Sequence, residues 1–428
     1  MWHRIWIFTA LPAFWAALAF FLIAPGAAKA QSPDSIAELR HLIERQQTQI
    51  EVQAKTIKAL KNRVDALATS FTKEKVSAKA APPPGGLVKS GGKATVKLYG
   101  QVNRGVLYAD DGKDQEYFHV DNDNSSTRIG LLATAKASED LSIGAKVEVE
   151  FESNASSAVS QTSGRSVGSN SFKERHLDVF LHSKALGKLS VGQGDTASNG
   201  TSEVDLSGTS VIGYSDVDDI AGGMFFVTRA GDLTSTKISS VYTNMDGLSR
   251  DDRLRYDTPK FAGFSLAGSV IADGATDAAI RYSGKFPYFK LAAAFGYANQ
   301  AGLSTSIEDQ IGGSVSLLLD SGLNFTFAAG RRELEGSSRN DPDFIYFKVG
   351  FLRKFFSIGP TALAVDFGSY EDIAQNGDEA DTLGFLLVQN LSDWGAQLYF
   401  GYRNYDFNRR DISLRDIDAV LAGVRVKF

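Results

Sequence analysis

From residue 95 to residue 428, apolar and polar side chains alternate along many short segments of the chain. In 141–151, the clearest segment, every odd position is apolar, while Lys146, Glu148 and Glu150 occupy even positions. A period of two is the pattern of a β-strand with one apolar and one polar face. Similar segments lie at 127–137, 261–272, 289–297, 322–331, 344–355, 361–370, 382–390, 396–405 and 417–428. The pattern predicts about sixteen strands, with about 21 residues per strand and connection, which suits tilted membrane-spanning strands.

The predicted connections alternate between short and long, as they do in a transmembrane barrel. Tight turns fall at 138–140, 185–188, 259–263, 286–288, 320–322, 356–360 and 391–394, and longer polar loops at 109–126, 153–171, 300–306, 334–342, 371–380 and 406–415. The alternative is a soluble β-sandwich or propeller, but no blade-length repeat is visible. We therefore predict an all-β transmembrane barrel of about 16 antiparallel strands at 95–428, preceded by a short α-helical coiled coil.

The coiled coil is predicted by a heptad pattern within residues 34–72. Isoleucines at 36, 43, 50 and 57 share one heptad position with Val64 and Phe71, while Leu39, Leu60 and Leu67 share the other with two glutamines. This spacing is typical of coiled coils, with a length of about 54 Å. A single amphipathic helix lying on the barrel is the alternative. Residues 73–94, rich in Pro, Gly, Lys and Ala, are predicted to be a linker.

The first thirty residues resemble a secretory signal peptide. A weakly basic start is followed by a long apolar run, and Ala28-Lys29-Ala30 precedes an expected cleavage point before Gln31. An uncleaved membrane helix is the alternative, because the apolar run is about long enough to span a bilayer.

Composition and local motifs exclude several function classes. The chain has no Cys, which rules out disulfides and thiolate metal sites, and its net charge of -5 gives no nucleic-acid footprint. Acidic runs at 121–124 and 216–219 resemble calcium loops, but they lack the Gly and distal Glu of an EF-hand, so Asx turns explain them better. His119, His176 and His182 accompany no recognisable serine elbow, so we expect neither an enzyme nor a cofactor.

Several short motifs, taken in order, resemble the general trimeric porins of Gram-negative outer membranes. They lie at 97–101, 126–130, 138–141, 186–196 and 255–265, and the chain ends in Phe428. The resemblance implies that Phe428 is the assembly signal of the barrel and that a segment at about 197–250 folds into the pore. It also implies an acid-bearing turn at 219–223 and basic residues at Arg175 and Arg229 that face the constriction. The coiled coil lies outside the general pattern.

Strand parity adds further candidates for the walls of the pore constriction. Gln101, Arg128, Lys146 and Glu148 point inward if their apolar neighbours face lipid. The same parity places Arg175 outward, in conflict with the resemblance. The pore-folding segment supplies the acids Glu203, Asp205, Asp216, Asp218 and Asp219, against the single base Arg229. This excess of carboxylates predicts a mild cation preference.

The function that follows is passive diffusion of small hydrophilic solutes and ions across the outer membrane. Expected partners are outer-membrane lipid, two further copies of the chain in a homotrimer, and peptidoglycan through a periplasmic coiled coil. The alternative is a structural anchor, in which the barrel only tethers the envelope to the cell wall through the coiled coil.

Overall fold

The computed structural model describes residues 87–90, 94–165, 172–304, 306–336 and 338–428, together with Lys55 and Lys58. The predicted signal peptide at 1–30 lies outside the described residues. So does the predicted coiled coil at 34–72, apart from Lys55 and Lys58, which are helical. The chain divides into two compact units, Met1–Ala81 and Pro82–Phe428.

Antiparallel strands make up most of the described part of the second unit. They are β1 Leu87–Ser90, β2 Ala94–Asp110, β3 Gln115–Asp121, β4 Arg128–Lys136, β5 Leu141–Phe151, β6 Phe172–Ser183, β7 Gly187–Asp195, β8 Phe225–Val227, β9 Leu233–Lys237, β10 Arg250–Asp257, β11 Phe264–Ile271, β12 Thr276–Lys285, β13 Phe289–Asn299, β14 Ile307–Leu319, β15 Leu323–Leu334, β16 Asp343–Phe356, β17 Gly359–Glu371, β18 Glu379–Leu391, β19 Ala396–Asn408 and β20 Ile417–Lys427. Short 3₁₀ helices lie at Asp123–Ser125, Val217–Asp219, Ile238–Ser240, Ala272–Gly274 and Ser392–Trp394. None of the described helices is long and apolar enough to cross a membrane.

The main sheet closes into a barrel through its first and last long strands. β20 pairs with β2 from Gln101↔Lys427 to Asp110↔Asp418. On the other side of β2, β3 and β4 pair with its two successive halves, so together they act as one interrupted strand. Counted in this way, and without β1 and the separate β8–β9 hairpin, the described residues form a closed barrel of sixteen antiparallel strands. The predicted fold class of the barrel is confirmed.

The alternating pattern places apolar side chains outside the barrel and charged side chains inside it. In β5, Ile143 is 54% exposed, whereas Glu148 and Glu150 are only 5% and 7% exposed. A water-soluble protein with an apolar interior would bury Ile143 and expose Glu148 and Glu150. The inverted distribution is that of a strand whose outer face meets lipid.

Two predicted boundaries were wrong because strand pairing extends further than the sequence pattern indicates. β20 pairs only with residues 101–110 of β2, so the start of β2 has no partner from β20. β1 pairs with Ala94–Lys97 on that same side of β2, although it lies within the predicted linker 73–94. The predicted long loop at 109–126 contains the whole of β3, which pairs with residues 104–110. In both places the backbone groups of β2 gain the hydrogen-bond partners that a membrane-embedded strand needs.

Candidate functional site

The 54-residue connection at 196–249, between β7 and β10, is called the inner loop here because it packs against the inside of the barrel wall. Its Val204 amide donates to Ser314 Oγ on β14 at 2.9 Å. The Tyr405 hydroxyl on β19 donates to the Val217 carbonyl at 2.6 Å. The inner loop therefore lies along the wall formed by β14 to β19.

A dry core joins the inner loop to this wall. Ile212, Ile220, Met224, Phe226, Tyr242 and Met245 of the loop are fully buried and pack in one cluster with Tyr346, Tyr370, Leu386, Tyr405 and Phe407 of the wall. Tyr242 contacts the rings of both Tyr370 and Tyr405, with centroids 5.0 and 5.1 Å apart. Residues 231–249 contribute several of these side chains, so they fill one side of the lumen rather than extending outward.

The remaining lumen contains a cavity of about 660 Å³ with a highly charged lining. Within the described chain, six acids line it: Asp123, Glu150, Glu152, Glu203, Asp216 and Asp246. Six bases line it as well: Arg128, Lys173, Arg175, Arg250, Arg332 and Arg425. Glu203, Asp216 and Asp246 come from the inner loop, whereas all six bases come from strands of the wall. Charged groups of opposite sign thus face each other across a confined aqueous space.

Arg175 lines this cavity because β5 and β6 are joined through a β-bulge. Glu148 pairs with His176 and Val149 with Glu174, so Arg175 is the extra residue in β6. Its guanidinium reaches Glu148 Oε1 at 2.8 Å and Glu150 Oε2 at 2.5 Å. Parity had placed Arg175 outward, and that inference was wrong because a bulge shifts the alternation by one residue.

Arg128 and Glu148 belong to the same network on the wall. Arg128 Nε donates to the Ser126 carbonyl at 3.1 Å, and its Nη1 lies 3.8 Å from Glu148 Oε1. The second oxygen of Glu148 accepts from the Tyr99 hydroxyl at 2.7 Å. Because its own carboxylate contacts are long, Arg128 presents positive charge to the cavity.

Burial and mutual repulsion raise the pKa of several acids of the inner loop. Burial, reinforced by Asp246 and Asp216, raises the pKa of Glu203 well above its usual range. Burial and the neighbouring Asp218 do the same to the pKa of Asp216. Burial is also the main cause that raises the pKa of Asp218 to about 7. The predicted excess of negative charge is therefore incomplete at neutral pH.

Three predicted acids do not line the cavity. The Asp205 side chain is 3% exposed and forms an ion pair at 2.8 Å with Lys348 Nζ on β16, which removes its free charge. Asp219 accepts from the Tyr214 hydroxyl at 2.8 Å. Asp218 lies in the 3₁₀ helix Val217–Asp219, which directly follows Asp216. We correct the prediction that all five carboxylates act together, because a specific partner or neighbour holds each of these three.

The other predicted residues occupy three different places. Gln101 is buried, and its amide donates to the Ser125 and Ser126 carbonyls, which braces the turn beside Arg128. Lys146 faces inward but lines other cavities, nearer the short turns. Arg229 is exposed in the β8–β9 turn, where its amide donates to the Ser413 carbonyl in the β19–β20 loop. The prediction for Arg229 was wrong because the β8–β9 hairpin reaches the rim with the long loops.

Several cavity residues had gone unrecognised in the sequence. Arg425 lies between Val424 and Val426, which are 39% and 43% exposed, so parity in the last strand would have identified it. Glu150, like Glu148, occupies an even position of β5, so the same alternation would have placed it inside the barrel. No sequence signal could have identified Asp246, because its position depends on the fold of the inner loop.

The acidic motif at 121–124 has a structural role. The Asn122 side chain accepts from the Asn124 amide at 3.1 Å and caps the 3₁₀ helix at Asp123–Ser125, which is the predicted Asx geometry. No group of three or more His, Asp or Glu side chains in the described residues is arranged to hold a metal ion.

Comparison with known proteins places this barrel in a family. The family described as Gram-negative porin matches residues 15–410 of the chain. No curated protein sequence matches the chain.

Solved structures share the fold at low sequence identity. The anion-selective porin from Comamonas acidovorans is 16% identical, with a TM-score of 0.54, and the match covers 78% of this chain and all of that one. In-vitro folded OmpT of Vibrio cholerae is 16% identical with a TM-score of 0.52, covering 80% of this chain and 99% of that one. Salmonella typhi OmpF, in complex with daunomycin, is 13% identical with a TM-score of 0.51, and the match covers 80% of this chain and 100% of that one. The family match and the closed sixteen-strand barrel lead to one conclusion: this chain belongs to the Gram-negative porins.

Proposed function

We propose that the chain is a passive diffusion channel for small hydrophilic solutes and ions, without enzymatic activity. The observation that carries this proposal is the charged cavity of about 660 Å³ inside a closed barrel. Opposed charges in a narrow aqueous space bind ions weakly enough to release them, which favours passage over retention. Liposomes containing the purified chain should swell in arabinose faster than in a larger sugar such as raffinose. Equal swelling rates with and without the protein would contradict the proposal.

The predicted mild cation preference is proposed here only as a shift of selectivity toward cations with rising pH. Six bases oppose six acids in the cavity, and burial together with neighbouring carboxylates raises the pKa of Glu203 and Asp216. The loop acids therefore add negative charge only as pH rises. A reversal potential measured in a KCl gradient should favour chloride at neutral pH and should move toward potassium as the pH rises to 9. A reversal potential that stays constant between pH 7 and pH 9 would contradict this charge assignment.

The lengths of the strands support a homotrimer. β10 and β11 have 8 residues each, whereas β17, β18 and β19 have 13. At a tilt of about 40°, 8 residues rise about 21 Å and 13 rise about 34 Å, against an apolar band of about 25 Å. The low wall at β10 and β11 is too short to face lipid alone, so neighbouring copies would cover it. Light scattering in detergent should give three times the chain mass; a monomer would contradict the proposal.

The rim at which the chain enters the barrel supports a second role as an envelope tether. Ala94, at the start of β2, pairs with Ala135 beside the short turn at 137–140, so the chain enters the barrel at the rim with short turns. That rim is periplasmic in outer-membrane barrels. Residues 34–72 would then stand in the periplasm, where peptidoglycan is accessible. Isolated sacculi should retain the full chain but not a variant without residues 34–72; equal retention would remove the tether role.

A further inference from the structure

Three lysines line the barrel wall between the constriction and the short turns. Lys97 on β2, Lys146 on β5 and Lys188 on β7 share a cavity of about 540 Å³, and Lys146 and Lys188 also line an adjacent cavity of about 240 Å³. Lys97 and Lys146 each pair with Leu132, so their backbones are two strands, or about 10 Å, apart. We call this group the lysine shelf.

The acids around the lysine shelf are each neutralised by an arginine. Four pairs have short contacts: Glu148 with Arg175 at 2.8 Å, Asp178 with Arg253 at 2.6 Å, Asp195 with Arg250 at 2.8 Å, and Asp257 with Arg255 at 2.6 Å. Arginine suits such pairs because its planar guanidinium matches a carboxylate. The lysines are therefore not needed to balance these acids.

The ammonium groups of the lysine shelf remain available to a ligand. Among the described residues, neither Lys97 nor Lys188 has a carboxylate within 4.0 Å, and Lys146 has only Glu148 at 3.9 Å. Lys188 Nζ stands 4.6 Å from the centre of the Phe180 ring, which orients it without cancelling its charge. Three positive charges thus converge on one confined space.

Unused polar atoms adjoin the same space. The Ser190 hydroxyl is 1% exposed and the His176 side chain is also buried; Ser190 Oγ and His176 Nδ1 have no hydrogen-bond partner in the described chain, although both residues line the smaller cavity. Asp178 Oδ1 also lacks a partner, but Arg253 balances the charge of that carboxylate. A buried hydroxyl without a partner is costly unless a ligand or water satisfies it.

We propose that the lysine shelf is a binding site for the oxyanion group of a small solute, a carboxylate or a phosphate, on the periplasmic side of the constriction. Ammonium donors and a serine hydroxyl supply charge-assisted hydrogen bonds to oxygen acceptors. The walls restrict water, so the charges act more strongly than on an open surface. A role of the site in transport rests on the proposed channel function, whereas binding itself does not.

The test is equilibrium binding of inorganic phosphate to the purified full chain in detergent, measured by broadening of the phosphorus-31 resonance. Wild type should show saturable binding that acetate displaces. Lys146→Met and Lys188→Met should each weaken binding about tenfold, equivalent to about 1.4 kcal/mol. The matched control is Lys260→Met, which removes an exposed lysine in the β10–β11 turn and should bind like wild type.

A charge-preserving variant separates the binding site from effects on folding. Lys146→Arg/Lys188→Arg should retain binding, while all variants should keep the heat-modifiable migration of a folded barrel. Absence of saturable phosphate binding in wild type, or equal binding in the double Met variant, would overturn the proposal. Displacement by chloride as effective as that by acetate would overturn oxyanion recognition. Because the measurement needs no current, its outcome is separate from that of the channel proposal.

Discussion

The buried ion pair between Lys348 and Asp205 is predicted to fix the inner loop to the wall. The Lys348 side chain is fully buried, and its Nζ donates to Asp205 Oδ2 at 2.8 Å, to the Gly213 carbonyl at 2.7 Å and to Thr209 Oγ1 at 3.2 Å. Burial alone would raise the pKa of Asp205, but the Lys348 ammonium outweighs burial and holds it below its usual value. All three acceptors belong to the inner loop, so one side chain joins it to β16.

Replacing Lys348 by Met should release the inner loop from the wall. Removal of one partner from a buried pair costs about 3–5 kcal/mol, because the remaining charge is left without compensation. If that cost falls on docking of the loop, the ratio of released to docked forms rises more than about a hundredfold. Single-channel recordings should then show frequent current fluctuations, and limited proteolysis should cut the inner loop while the barrel stays intact.

Two further variants make this test specific. Asp205→Asn/Lys348→Met removes both charges and should suppress most of these current fluctuations, because neither partner is left buried and charged. Arg331→Met breaks the ion pair between Arg331 and Asp341, in which the arginine side chain is 60% exposed. This change should reduce the free energy of unfolding by at most about 1 kcal/mol. If Lys348→Met matched wild type in current noise and protease resistance, the pair would not hold the inner loop.

Three shorter predictions concern assembly, pH and the wall. Deleting Phe428, whose amide and carbonyl bond to the Gly100 backbone at 3.0 Å each, should reduce the yield of folded barrel in outer-membrane fractions without changing the conductance of channels that do form. Burial raises the pKa of Glu152, which lines the cavity, to about 8, so this carboxyl is neutral below that value and ionised above it. The reversal potential in a KCl gradient should therefore move toward potassium between pH 6 and pH 9, and a flat profile would exclude this acid. Arg175→Gln leaves Glu148 and Glu150 without their main partner, and should shift the same potential toward potassium at pH 7.

The sequence allowed the barrel to be predicted because each spanning strand has a lipid face and an aqueous face. In β5 this rule placed Glu148 inside, as the structure has it, and the same rule applied to Glu150 would have identified that residue as well. The rule failed for Arg175, because a bulge depends on how two strands pair and leaves no mark in a single strand. Parity also could not show which inward charges reach the constriction, and Lys146 lies nearer the short turns.

The acids of the inner loop were the least predictable part. The partner of Asp205 is Lys348, 143 residues away in the chain, and no local pattern connects them. Burial of Tyr242 against β17 and β19 turns the loop toward one side of the lumen, and this decides which carboxylates face water. Charge counted along the chain therefore overstated the negative potential, because it included only some of the bases of the wall and left out the protons held by buried carboxyls.

The central claim, an open charged pathway through a closed barrel, is tested most directly by single-channel recording of the purified chain in a planar bilayer. We expect discrete current steps in KCl, with steady open levels because the inner loop is packed against the wall. A folded, heat-modifiable barrel that gave no current steps in repeated insertions would contradict the account.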